Sequence, residues 1–172
     1  MIAKSLDVVV WLKLLTSGYR KTFAELSKEL GMSASEIHSS VRRGSAAGLI
    51  DPNSRMPLRR ALEEYLLHGV RYAFPAKRGP VTRGIPTSYG APPLAQYFHA
   101  AEELPPVWPD PHGSTRGYGL EPLFKPIRKA IDQDPKLYEL LTLVDAIRDG
   151  RARERKLAEE KLSSLIANAD AH

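Results

Sequence analysis

The chain has 172 residues and no cysteine, which excludes disulfides, thiolate metal sites and cysteine nucleophiles. Its longest apolar run, Val8-Val9-Val10-Trp11-Leu12, is far short of the roughly 20 residues that span a bilayer. The first residues also lack the basic region, apolar stretch and small-residue cleavage site of a signal peptide. A cytoplasmic protein with no membrane partner is therefore expected. The histidines, His38, His68, His99, His112 and His172, are scattered, and none falls in a metal-binding spacing. No metal and no cofactor are expected. The glycine-rich run Gly113-Ser-Thr-Arg-Gly-Tyr-Gly lacks a G-K-[ST] signature and reads as a flexible loop. His99, Glu102 and Glu103 fit one helix face but have no nucleophile or third partner. No catalytic residue is nominated, and the chain reads as a non-enzyme.

What is present is enough apolar material for a core, at 42% hydrophobic residues, and a modest basic excess, at formal net charge +5. Such a charge permits a nucleic-acid partner without requiring one. The excess is local. Between Ser40 and Thr87 the bases are Arg42, Arg43, Arg55, Arg59, Arg60, Arg71, Lys77, Arg78 and Arg83, against only Asp51, Glu63 and Glu64.

The N-terminal part reads as three helices. Ser5 can cap the first, which stops before Gly18. Thr22 and Glu25 have the spacing of a capping box at the start of a second, with Leu26 and Leu30 on its apolar side. Gly31 is placed to end that helix, because glycine adopts the left-handed C-cap conformation without steric cost. Ser33 and Glu36 repeat the capping-box spacing at the head of a third helix, on which Ile37 and Val41 share the inner face. Its other face carries Ser35, Glu36, His38, Ser39, Arg42 and Arg43, residues that hydrogen-bond. From Thr22 to Ile50 this is a helix-turn-helix, a form whose second helix can enter the major groove.

The run "KTFAELSKELGMSASEIHSSVRRGSAAGLI" resembles the helix-turn-helix of winged-helix bacterial transcription regulators, MarR-like in the broad sense. The resemblance covers about 30 of the 172 residues. It implies that the second helix reads double-stranded DNA through Ser33, Ser35, His38, Ser39, Arg42 and Arg43, and that a β-hairpin wing touches phosphate. One wing candidate is residues 70–87, read as a β-hairpin because Val70 to Phe74 alternates and Lys77-Arg-Gly-Pro80 forms a turn. It would contribute Arg71, Lys77, Arg78 and Arg83. The other is the segment Asn53–Arg60, with Arg55, Arg59 and Arg60. A helix from Pro57 to His68 is expected between the two.

Residues 88–119 are rich in proline and glycine and read as a connecting segment, with a short helix over Leu94–Leu104 and an extended stretch from Pro105. Helices follow: Glu121–Ile131; one capped by Asp134 that buries Leu137, Leu140, Leu141, Val144 and Ile147; and Arg151–Ile166, with a narrow seam of Leu157, Leu162, Leu165 and Ile166. The expected fold is mainly α. It comprises an N-terminal winged helix-turn-helix over residues 1–87 with a small β-hairpin, the connection 88–119, and C-terminal helices over 120–172. The expected function is a sequence-specific DNA-binding regulator, a repressor acting as a homodimer. The alternative is an antitoxin-like or adaptor protein. Its C-terminal helices would hold a partner protein while the helix-turn-helix autoregulates its operon.

Overall fold

The computed structural model describes residues 2–16, 18–98 and 104–169. The protein is mostly helical, with a small three-stranded sheet. In chain order the elements are α1 (Ser5–Thr16), α2 (Phe23–Leu30), α3 (Ala34–Ala46), α4 (Arg59–His68), α5 (Val70–Ala73) and β1 (Arg78–Pro86). Then come α6 (Pro92–Ala95), β2 (Pro106–Pro109), β3 (Thr115–Leu120), α7 (Ile127–Ile131), α8 (Pro135–Asp149) and α9 (Ala152–Asn168). The chain forms two compact units, each assembled from separate stretches: 1–65, 123–138 and 165–172 in the first, 66–122 and 139–164 in the second.

In the first unit α1 is the central element. Every residue from Asp7 to Leu15 is buried. A helix buried on all sides needs partners for its charges, and both have them. The Asp7 carboxylate takes two bonds from Arg43, at 2.8 and 2.7 Å, and one from the Lys4 amide at 2.7 Å. Lys13 donates to Asp134 at 2.7 Å and to Glu29 at 3.5 Å. Trp11 lies edge-on to Tyr65, ring centroids 5.9 Å apart, and its indole N–H donates to the Ser40 carbonyl at 3.0 Å. This close crossing of α1 and α3 requires Gly44. A Cβ there would stand 2.5 Å from Ile50 and 2.7 Å from the Trp11 indole nitrogen.

In the second unit the three strands close on one another. β1 runs antiparallel to both β2 and β3, and β2 runs parallel to β3. Residue pairs such as Ile85 with Trp108 and Arg83 with Arg116 set the register. Gly117 allows closure, since a Cβ there would lie 2.0 Å from the Pro105 carbonyl oxygen. Against the sheet, the Asp145 carboxylate on α8 accepts from the Thr87 hydroxyl, the Trp108 indole N–H (both 2.7 Å) and Arg148 (2.8 Å). Burial pushes the Asp145 carboxyl above the usual carboxylate range, while Arg148, Thr87 and Trp108 pull it back.

Several expectations need correction. The hairpin over 70–87 does not form. Val70–Ala73 is a helical turn that continues almost directly from α4, because Gly69 keeps a helical-side backbone (φ −111°, ψ −39°) and buries Val70. The strand β1 finds its partners in residues 106–120, a non-local pairing that local alternation does not reveal. Those partners lie in the stretches read as an extended connection and a glycine loop. Pro57 does not begin α4. It pairs across to Ile50 as an isolated bridge, and the helix starts at Arg59. The helix expected over Glu121–Ile131 is only α7. Pro122 and Pro126 remove two backbone donors from that stretch. Of the helix expected over Leu94–Leu104 only the short α6 forms, ending at Ala95; Gln96, Tyr97, Phe98 and Leu104 are not helical, and residues 99–103, with His99, Glu102 and Glu103, lie outside the described residues.

Candidate nucleic-acid interface

The local sequence accounts for how α2 and α3 are joined. Thr22 accepts the Glu25 N–H at 3.1 Å, and the Glu25 carboxylate accepts the Thr22 N–H at 2.9 Å, a complete capping box. Gly31 takes the left-handed conformation (φ 71°, ψ 28°) and donates its N–H to the Ser27 carbonyl at 3.0 Å. Ser33 caps α3 by accepting the Glu36 N–H at 3.0 Å. The expected reciprocal bond from the Glu36 carboxylate is not formed, so this cap is half a box.

The faces of α3 divide cleanly. Ile37, Ser40, Val41 and Gly44 are buried. Ser35, His38 and Arg42 are exposed, and Ser39 is half-buried beside them. Arg42 has no carboxylate partner among the described residues. Arg43 behaves differently. Its guanidinium turns inward onto Asp7, its side chain is 12% exposed, and the hydrogen bonds it donates to that carboxylate hold it firmly in the charged form. Of the two arginines expected at base edges, the structure leaves one outward.

Immediately after α3 the chain doubles back. Gly48 has φ 77°, Leu49 and Ile50 donate back to the Gly44 carbonyl at 2.8 and 3.2 Å, and Leu58 N–H returns to the Leu49 carbonyl at 2.8 Å. The turn between them is closed by Asp51 N–H to the Met56 carbonyl at 2.9 Å. The Asp51 carboxylate accepts the N–H groups of Ser54 (3.0 Å) and Asn53 (2.8 Å), and these bonds hold its carboxyl below the usual range. Arg55 adopts φ 64° and donates to the Lys21 and Tyr19 carbonyls at 2.8 and 3.2 Å. Its guanidinium sits 4.9 Å from the centre of the Phe23 ring. His38 meets the same ring edge-on, 5.4 Å between centroids. Phe23 therefore connects α2, the exposed face of α3 and the 51–56 turn. An open hollow of about 430 Å³ lies among Phe23, His38, Arg42, Pro52 and Arg55.

Sequence reasoning singled out Arg55 but not Phe23. The only signal at Phe23 was an aromatic residue in the first turn of a polar helix. A second hollow, about 880 Å³, runs between α2 and α7. Its floor is a self-satisfied ion network, with Lys13 on Asp134 and Glu29, and Lys21 on Glu29 at 3.0 Å.

The remaining candidates lie in the second unit and form no hairpin. Arg71 is on α5, half-buried and stacked on Tyr72 at 4.6 Å. Lys77 is exposed in the segment before β1. Arg78 is bound to Asp149 at 2.8 and 2.9 Å and to the Tyr89 hydroxyl at 3.0 Å, contacts that strengthen its hold on the proton. Arg83 is exposed on β1. No protein-family model matches the chain, and neither a curated protein nor a solved structure matches it.

Proposed function

We propose that the first unit is a winged helix-turn-helix that binds duplex DNA, with α3 in the major groove and the 51–56 turn as a short wing, and that the protein regulates transcription. One observation carries this reading. Between its terminal alanines, Ala34 and Ala46, the exposed residues of α3 are the hydrogen-bonding Ser35, His38 and Arg42, and the helix beneath them is fixed by Trp11, Gly44 and the Asp7–Arg43 pair. A helix of 13 residues is about 20 Å long. Its N-terminal half fits a groove about 12 Å wide. Ser35, His38 and Ser39 would then meet bases or phosphates, and Arg42 a guanine. The wing follows α3 directly, and the Phe23 contacts hold it beside the reading face. Regulation by repression as a homodimer is the accompanying expectation, since dimers of such units read half-sites about one helical turn apart.

The test is selection of bound duplexes from a randomised pool, followed by titration of Arg42→Ala on the selected site. Wild-type protein should enrich a motif. Arg42→Ala should lose discrimination at one base pair by about 5- to 150-fold, the equivalent of 1–3 kcal/mol. Selection without enrichment at low salt would sink the reading.

A further inference from the structure

The sheet of the second unit has an outer face that the α3 reading does not use. Val81 pairs with Tyr118 and Arg83 with Arg116 across β1 and β3. Residues directly opposite in an antiparallel pair share a side, and all four of these are exposed. Two guanidinium-bearing residues thus face each other across a ladder, their Cβ atoms about 5 Å apart. Neither guanidinium has a carboxylate partner among the described residues. Like charges directly opposite destabilise a sheet, so this arrangement works against folding unless an anion occupies it.

The surroundings sharpen the chemistry. In the described residues of 66–122 the acids are Asp110 and Glu121, against Arg71, Lys77, Arg78, Arg83 and Arg116. Arg78 is neutralised by Asp149 and lies 5.8 Å from the centre of the Tyr118 ring, which braces that ring at the edge of the face. The unneutralised charge is concentrated at Arg83 and Arg116, with Lys77 on the same strand's approach. A planar guanidinium binds phosphate oxygens in pairs. Two of them set side by side suit a single bridging phosphate, and the tyrosine hydroxyl suits its neighbour.

We propose that this β1–β3 face is a second docking surface, for the sugar–phosphate backbone of duplex DNA, indifferent to sequence. The proposal rests on the reading of the chain as a DNA-binding protein, but it shares no residue with α3. The two therefore fail separately.

The experiment uses the full chain with a labelled random-sequence duplex, the selected duplex and a labelled single strand, titrated by fluorescence anisotropy from 50 to 300 mM KCl. The variants are Arg83→Gln with Arg116→Gln, and Arg83→Lys with Arg116→Lys. Freeing the one phosphate that the two arginines share should shrink the salt slope by about 0.9, which corresponds to about 8-fold weaker binding at 0.1 M on both duplexes. The lysine pair should keep the slope. Thermal midpoints of the glutamine pair should hold or rise, because a repulsion is removed. Unchanged affinity and slope in the glutamine pair, with Arg42→Ala still impaired, would overturn the proposal and leave the α3 reading standing. Weakened binding to all duplexes without any sequence preference would support it while sinking the α3 reading. A loss confined to a single-stranded probe would overturn the commitment to duplex, and a chain that binds no duplex at 50 mM KCl would overturn both.

Discussion

Arg42 and Arg43 are adjacent in the chain and identical in type, yet the structure assigns them opposite consequences. Arg43→Ala would leave the Asp7 carboxylate, 0% exposed, with the Lys4 amide in place of three donors. Breaking a buried ion pair at one partner costs about 3–5 kcal/mol. Arg43 keeps 12% of its side chain exposed, so water relieves part of the cost and the low end, about 3 kcal/mol, applies. That is roughly a 150-fold change in the folding equilibrium and a fall in midpoint of about 6–12 °C for a chain of this size. Urea denaturation of the full chain reads the first quantity and calorimetry the second. Arg43→Ala should unfold earlier and, per folded molecule, keep its DNA affinity. Arg42→Ala should keep its stability and lose discrimination. The double variant Asp7→Leu, Arg43→Met should recover most of the loss, because apolar replacement removes both desolvation penalties. If Arg43→Ala kept full stability and lost sequence preference, Arg43 would be a base contact and the packing argument would be wrong.

Other outcomes follow from the same geometry. Gly44→Ala should cost about 1–3 kcal/mol by overpacking the α1–α3 crossing, seen as a lower urea midpoint; an unchanged midpoint would mean that the crossing relaxes freely. Asp145→Ala removes the acceptor of the Thr87 hydroxyl and the Trp108 indole N–H, and leaves Arg148, whose side chain is 5% exposed, with the Phe74 carbonyl and no counter-charge from Asp145. It should cost about 3–5 kcal/mol and change the near-ultraviolet signal of Trp108; an unaltered signal would contradict the assigned bonds. The Asp51 carboxyl is held below its ordinary 3.8. Its contribution to the 51–56 turn is therefore fully present above pH 3.8 and is lost as pH falls through the lower folded value. Amide shifts of Ser54 and Asn53 should titrate with a midpoint below 3.8, and a midpoint at or above that value would contradict the turn.

Much of the first unit is legible in the sequence because its determinants are local. Thr22, Glu25, Gly31 and Ser33 each act within four residues, and α2 and α3 lie where these signals put them, whereas Ser5, expected as the cap of α1, is its first helical residue. What escaped reading is what depends on distant partners. The inward turn of Arg43 is set by Asp7, 36 residues away. The same span separates Arg55 from the Tyr19 carbonyl that it bonds from the 51–56 turn. Nothing local marks Asp7 as a buried anchor. In the second unit the failure was larger. A strand's partners cannot be found by alternation when they lie in proline- and glycine-rich stretches. There Pro105 and Gly117 serve close backbone approach rather than a loop. The seam of α9 was also under-read, since Ala158 and Glu154 are buried with Leu162 and Ile166.

The central claim is that the exposed face of α3 meets the edges of DNA bases. The most direct measurement is amide and side-chain shift mapping of the labelled full chain on addition of its selected duplex. The account predicts that the largest perturbations fall on Ser35, His38, Ser39 and Arg42 and on the 51–56 turn, with Arg43 and Asp7 nearly still. Perturbations that spare α3 while the chain binds the duplex would contradict it.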